Sequence, residues 1–158
     1  MKDSIKVGLS FGLTSGIITT LGLMVGLYSG TQSKIPVIGG ILTIAIADAF
    51  SDALGIHISQ ESEEKTTLRQ VWESTIATFF SKFFFALIFV IPVVVLPLRE
   101  AVIVSGIIGV FILTAANYLI AQQEKKNKLE IIVGHIIITL VVVLATFLTG
   151  RIIKNIFS

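Results

Sequence analysis

The chain has 158 residues, of which 54% are hydrophobic and only 14% charged, with a mean hydropathy of +0.94. A water-soluble domain of this size needs far more charge to cover its surface, so the balance excludes one. Spread over segments of about 20 to 25 residues, the apolar content supports five bilayer crossings and leaves little for a soluble domain. The absence of cysteine excludes a disulfide framework, thiolate metal sites and thiol catalysis. A net charge of +2, with no basic stripe interleaved with aromatics, speaks against a nucleic-acid partner.

The first apolar segment, about residues 5–29, is too long for the core of a signal peptide and is read as a retained helix. Gly8, Gly12 and Gly16, followed by Gly22 and Gly26, form a stripe of small residues that allows close helix approach. A short polar turn leads to the second segment, about 36–60, where Pro36 suits a first helical turn. The third, about 71–98, carries Lys82 in its interior, and Pro92 and Pro97 should kink or end it near the far side. The fourth and fifth run over about 101–121 and 131–153. The expected fold class is an all-α membrane protein with five transmembrane helices in one transmembrane domain, because an open sheet edge cannot be satisfied in hydrocarbon.

Lysine and arginine set the orientation. With the N-terminus cytoplasmic, Lys2, Lys6, Lys65, Arg69, Lys125, Lys126 and Lys128 lie inside, seven against the four of Lys34, Arg99, Arg151 and Lys154. The expected location is the cell membrane, in a multi-pass arrangement.

The strongest chemical signal is the stretch IADAFSDALGIHISQESEE in the second segment. Asp48 and Asp52 are four residues apart, on one helical face inside an apolar span. Each carboxylate there costs about 2.5 to 3.5 kcal/mol, so the pair implies a counter-charge, a proton, an ion or a water-filled cavity. Gly55, Ser59 and Glu63 continue this stripe toward the cytoplasmic mouth, and His57, Glu61 and Glu64 form a second face with nitrogen and oxygen ligands for a divalent cation. Lys82 lies at a matching depth and is expected to pair with Asp52, as a structural or gating partner. One lysine cannot neutralise two aspartates, and the remaining charge suits proton exchange. The bland alternatives are a structural ion pair for the aspartates and a solvated helix end for His57 and the glutamates. His135 and Asn117 read as packing or interfacial groups, and Trp72 and Tyr118 as interfacial anchors. No HExxH, GxSxG, P-loop or Rossmann motif occurs, so no enzyme activity and no resident cofactor are expected.

The segments GLTSGIITTLGLMVGLYSG, from Gly12 to Gly30, and ADAFSDALGIHISQESE, from Ala47 to Glu63, resemble the first and second helices of the vacuolar iron transporter (VIT) family. The two prolines of the third segment and the stretch from Gly134 to Arg151 are weaker matches. The resemblance implies a five-helix protein that moves ferrous or manganous ions out of the cytosol in exchange for protons, along a path at a homodimer interface. Asp48 and Glu63 fall on positions that can be acidic in the family. Ser15 stands where the family has its first-helix aspartate, Asp52 stands where it has a methionine, and the glutamate-rich insertion after the second helix is missing.

The leading expectation is therefore a proton-coupled exporter of divalent metal ions, iron or manganese, embedded in the lipid bilayer. Asp48 and Asp52 would bind the ion; Glu61, Glu63, Glu64 and His57 would act at the mouth; Ser15 and Thr19 would add weak oxygen ligands. A carboxylate in place of a thioether hardens the site toward manganous, ferrous or magnesium ions. The alternative is a VIT-like membrane protein without transport activity, acting as a structural or assembly partner. A transporter of a small organic cation ranks third.

Overall fold

The computed structural model describes residues 3–123 and 127–157. Its helices are α1 (Asp3–Thr31), α2 (Lys34–Glu61), α3 (Leu68–Ile88), α4 (Val90–Val95), α5 (Leu98–Gln123) and α6 (Lys128–Phe157). With α3 and α4 taken as one interrupted span, five helices are long and apolar enough to cross a membrane, the pattern of a multi-pass membrane protein. No strand occurs among the described residues. Lys2, Lys125 and Lys126, which enter the orientation argument, lie outside the described residues.

The helices overrun the expected spans at most ends, because hydropathy marks the stretch suited to hydrocarbon, whereas a helix stops where its capping groups stop it. At the start of α3 this is explicit: the Thr67 side chain accepts from the Gln70 amide while the Gln70 side chain accepts from the Thr67 amide. The third span differs more. It breaks at Phe89 and ends at Val95, short of Leu98. Pro92 cannot donate to the Ile88 carbonyl and its ring collides with it, so the helix interrupts three residues earlier. Pro97 lies outside the third span and starts α5, its carbonyl accepting from the Ala101 amide at 2.9 Å.

Helix α1 is central and touches α2, α3, α5 and α6. Its glycines serve two partners. A methyl group on Gly8 would lie 2.2 Å from the Ser74 carbonyl oxygen, and one on Gly12 would lie 2.5 Å from that of Thr78, so α3 rests directly on the α1 backbone. The six-residue step from Gly16 to Gly22 turns the stripe by about 120°. Gly22, Gly26 and Gly30 accordingly face Val142, Thr146 and Gly150 of α6. In lipid, where apolar surface gains nothing by leaving the solvent, such close backbone packing is the principal attraction between helices.

The bundle has two halves of different character. Toward the C-terminal half of α1, Ile17, Leu21 and Met24 pack with Val37, Ile41, Phe89 and Val93 in an apolar core. Toward its N-terminal half, the buried face of α3 is mostly polar, with Ser74, Thr78, Ser81 and Lys82 following Val71. The serine and threonine hydroxyls there are satisfied by backbone carbonyls, Ser74 by Val71, Thr78 by Ser74 and Ser81 by Leu9 of α1.

Gly12→Ala should overpack this crossing and cost about 1 to 3 kcal/mol. Gly106→Ala, at a glycine with no neighbour within 4 Å, should instead leave stability unchanged or raise it by up to about 1 kcal/mol. Thermal unfolding of both variants in detergent micelles reads the difference, and equal shifts in the same direction would contradict the packing account.

Candidate functional site: two aspartates around a buried lysine

Helix α2 carries the site at the edge between two faces. Val37, Ile41, Ala45, Ala49 and Ala53 recur every fourth residue and are buried. Gly39, Thr43, Ala47, Ser51, Gly55 and Ser59 recur at the same interval, two residues out of step, and are all exposed. Two residues turn a helix by about 200°, so these faces are opposite, and Asp48 and Asp52 stand between them. The small buried residues let α3 lie close on one side, which places its side chains within reach of both carboxylates.

Lys82 fills that position. Its side chain is 2% exposed, and its Nζ contacts Asp48 Oδ2 and Asp52 Oδ2, whose side chains are 29% and 20% exposed. Toward Asp52 the contact is also a hydrogen bond; toward Asp48 it is an ion-pair contact without hydrogen-bonding alignment. Ser15 of α1 completes the arrangement. Its hydroxyl donates to Asp52 Oδ2 at 2.6 Å and accepts from Lys82 Nζ at 2.9 Å. The expected Asp52 partner is thus shared by both aspartates. Gly16, next to Ser15, lets the Lys82 backbone approach: a methyl group there would meet the Lys82 carbonyl oxygen at 3.1 Å and its Cα at 3.3 Å.

The charge count gives this site its chemical character. Lys82 and Asp48 stand within one residue of the middle of their spanning helices, and Ser15 within two. One ammonium against two carboxylates leaves one negative charge where charge is most expensive. Among the described residues, the Oδ1 atom of each aspartate has no protein partner. Asp48 also opens on a groove of about 580 Å³ between α1 and α2, bordered by Leu23, Leu27, Gly40, Thr43 and Ser51 and reaching Pro36 near the start of α2. The arrangement therefore has spare coordinating capacity and an opening along α2.

The remaining candidate residues are not gathered here. Thr19 donates to the Ser15 carbonyl at 2.8 Å, bonding its own helix. His57 faces α3: its Nδ1 lies 3.0 Å from Thr75 Oγ1, and its ring meets Trp72 edge-on at 4.9 Å. The Thr75 hydroxyl gives its hydrogen to the Val71 carbonyl, so His57 Nδ1 is the donor and Nε2 is left as the free ring nitrogen. Glu61 is the last residue of α2, and Glu63 and Glu64 lie in the exposed turn beyond it, off the helical face that spacing assigns them. Glu63 accepts from Gln60 Nε2 at 3.4 Å and from Thr66 Oγ1 at 3.3 Å, bracing that turn. Among the described residues, no three His, Asp or Glu side chains converge closely enough to hold a metal ion. Two further features lie outside the sequence reading: Thr75, visible only once α2 and α3 are side by side, and the pair Ser4 and Arg69 on Glu73, which joins the start of α1 to α3.

Lys82→Met should destabilise the protein by about 3 to 5 kcal/mol, toward the lower figure because both aspartates are partly solvated. Adding Asp48→Asn and Asp52→Asn to Lys82→Met should recover most of that loss, as measured by thermal unfolding in micelles; a triple variant as unstable as the single one would show that the charges do not govern the site.

No protein-family model matches the chain, and no curated protein matches it.

Proposed function

We propose that the protein is a proton-coupled transporter of divalent metal ions, iron or manganese, with Asp48 and Asp52 as its ion site and export from the cytosol as its direction. The observation that carries this reading is the unbalanced charge at mid-helix: two carboxylates, one ammonium, and two oxygens without a protein partner among the described residues. A site near the middle of the bilayer is where alternating access from the two sides operates most economically. Loading a divalent ion onto the pair while Lys82 stays charged would overshoot neutrality, so the ion displaces positive charge as it binds. Lys82 is the tethered competitor in that exchange, and protons complete the neutralisation when the ion leaves. Ser15 supplies a neutral oxygen beside the pair. The exposed Glu61, Glu63 and Glu64 draw cations to the mouth, with the N-terminus on the cytoplasmic side as the distribution of lysine and arginine favours.

The vacuolar iron transporter resemblance supports the same class and a homodimer. Six small residues, Gly39 through Ser59, lie exposed on α2 beside the aspartates, the composition that lets two helices pack in lipid. Pairing across this face would cover the groove at Asp48. The competing reading, an assembly partner without transport, draws on Lys82, which already occupies the space between the carboxylates.

Reconstituted in liposomes, the protein should carry ferrous or manganous ions in exchange for protons, with flux that rises when a proton gradient is imposed in the opposite direction. Asp48→Asn or Asp52→Asn should reduce the flux roughly tenfold or more, the equivalent of one charge-assisted contact. No flux under any gradient would overturn the transport reading in favour of the assembly partner. Because the chain has no cysteine, Ser51→Cys gives a single thiol on the exposed α2 face. It should form a disulfide-linked dimer on oxidation in membranes, whereas the buried Ala49→Cys should not.

A further inference from the structure

A second polar site lies at the opposite end of the helices from Glu61, Glu63 and Glu64. The last turns of α1 and α6 enclose a cavity of about 340 Å³ lined by Tyr28, Ser29, Gln32, Arg151, Lys154 and Asn155. Its shape follows from two local features. Gln32 takes a left-handed conformation, φ 51°, and its amide donates to the Tyr28 carbonyl at 3.0 Å, so α1 ends sharply and its chain turns away. Gly150 meanwhile brings α6 onto α1 so closely that a methyl group there would lie 2.2 Å from the Gly26 carbonyl oxygen. The next residue, Arg151, is thereby fixed at the α1 terminus, its guanidinium 5.8 Å from the Phe147 ring centre.

The lining is rich in donors and contains no acid. Four cationic side chains, Lys34, Arg99, Arg151 and Lys154, lie at this end of the helices with one acid, Glu100. Arg151 and Lys154 have no carboxylate within ion-pair distance among the described residues. Among the same residues, Tyr28, Gln32, Arg151, Lys154 and Asn155 spend no side-chain donor on a protein hydrogen bond. Ser29 differs, since its hydroxyl hydrogen points at the Gly26 and Phe147 carbonyls, both at 3.0 Å. The C-termini of α1 and α6 offset the two cations only in part, at about half a negative charge each.

Depth identifies the ligand class. At 1.5 Å per residue, Tyr28 to Gln32 lie about 16 to 23 Å from the middle of α1, and Arg151 to Lys154 about 13 to 17 Å from the middle of α6. The hydrocarbon half-thickness is about 15 Å, so the cavity sits at headgroup level. The geometry points to a binding site for the phosphate of an anionic phospholipid, with Arg151 and Lys154 on the phosphate oxygens and Gln32, Asn155 and Tyr28 on the remaining acceptors. This site is separate from Asp48 and Asp52 and does not depend on what they bind.

The test is native mass spectrometry of the full chain in detergent, titrated with phosphatidylglycerol or with phosphatidylcholine of the same acyl chains, alongside thermal stabilisation by inorganic phosphate. Phosphatidylglycerol should be retained in preference to phosphatidylcholine, and Arg151→Gln with Lys154→Gln should weaken its retention by roughly tenfold or more. Arg99→Gln, which removes a cation from the same end but outside the cavity, should leave retention unchanged. Lys154→Gln alone, at the less central position, should give a smaller loss and serves if the double variant does not fold. Retention unaffected by the cavity variants would overturn the proposal and leave both cations as helix-end counter-charges. An equal loss with Arg99→Gln would overturn it in favour of general surface attraction. Stabilisation by inorganic phosphate at least equal to that by the lipid would overturn the lipid source and assign the cavity to the free anion.

Discussion

The ammonium of Lys82, buried between Asp48 and Asp52, is the interaction on which the polar half of this bundle depends. A lysine that is 1% exposed in the interior of a spanning helix persists only if its charge is met. Meeting it constrains three helices together. Helix α1 must be thin at Gly16 for the α3 backbone to approach; α2 must be narrow at Ala45, Ala49 and Ala53 for α3 to lie alongside; Asp48 and Asp52 must stand at the edge of that narrow face rather than on it. Ser15 then binds both signs of charge at once, accepting from the lysine and donating to the carboxylate. Truncating Lys82 leaves both carboxylates without their counter-charge, whereas removing one aspartate leaves the lysine its other partner.

The division of α1 into two glycine runs explains how such a polar cluster coexists with a well-packed bundle. The first run faces hydroxyl-bearing α3, where bonds to backbone carbonyls saturate each serine and threonine. The second faces α6, most of whose surface is exposed, so its attachment to α1 rests on the close approach of Val142, Thr146 and Gly150 and on the Ser29 bond to the Phe147 carbonyl. Between them, the apolar core from Ile17 to Met24 fills the end of the bundle that holds no central charge.

Much of this was legible in the sequence, for identifiable reasons. Five apolar stretches fixed the number of spans, since each is long enough to cross and none is long enough to cross twice. Asp48, Asp52 and Lys82 were legible as a group because position within a span gives depth directly, and groups at equal depth on neighbouring helices can meet. Spacing did not reveal that Lys82 would touch both carboxylates, which depends on the width of the α2 face and on Gly16. The helical stripe also failed at Glu63 and Glu64, because extrapolating a 3.6-residue period presumes that the helix continues, whereas α2 stops at Glu61. His57 was placed with the glutamates by the same extrapolation; its actual partners, Thr75 and Trp72, come from another helix and carry no signal in local spacing. The exposed small-residue face of α2 could have been found from its four-residue period, had the buried alanines been counted against it.

The lysine also has a property that no dissolved counter-ion shares. Because its stem is clamped against Gly16 and its tip lies on the carboxylates, its local concentration is set by the chain and not by the medium, and for short tethers such values are of millimolar order or higher. Any external cation approaching Asp48 and Asp52 meets a competitor that dilution cannot remove and that ordinary changes in salt barely disturb. Its apparent affinity is lowered from the intrinsic one by the fraction of time the tether is away. The occupancy of the pair is then governed by how easily Lys82 is drawn aside, and that ease is a matter of how α3 sits on α1.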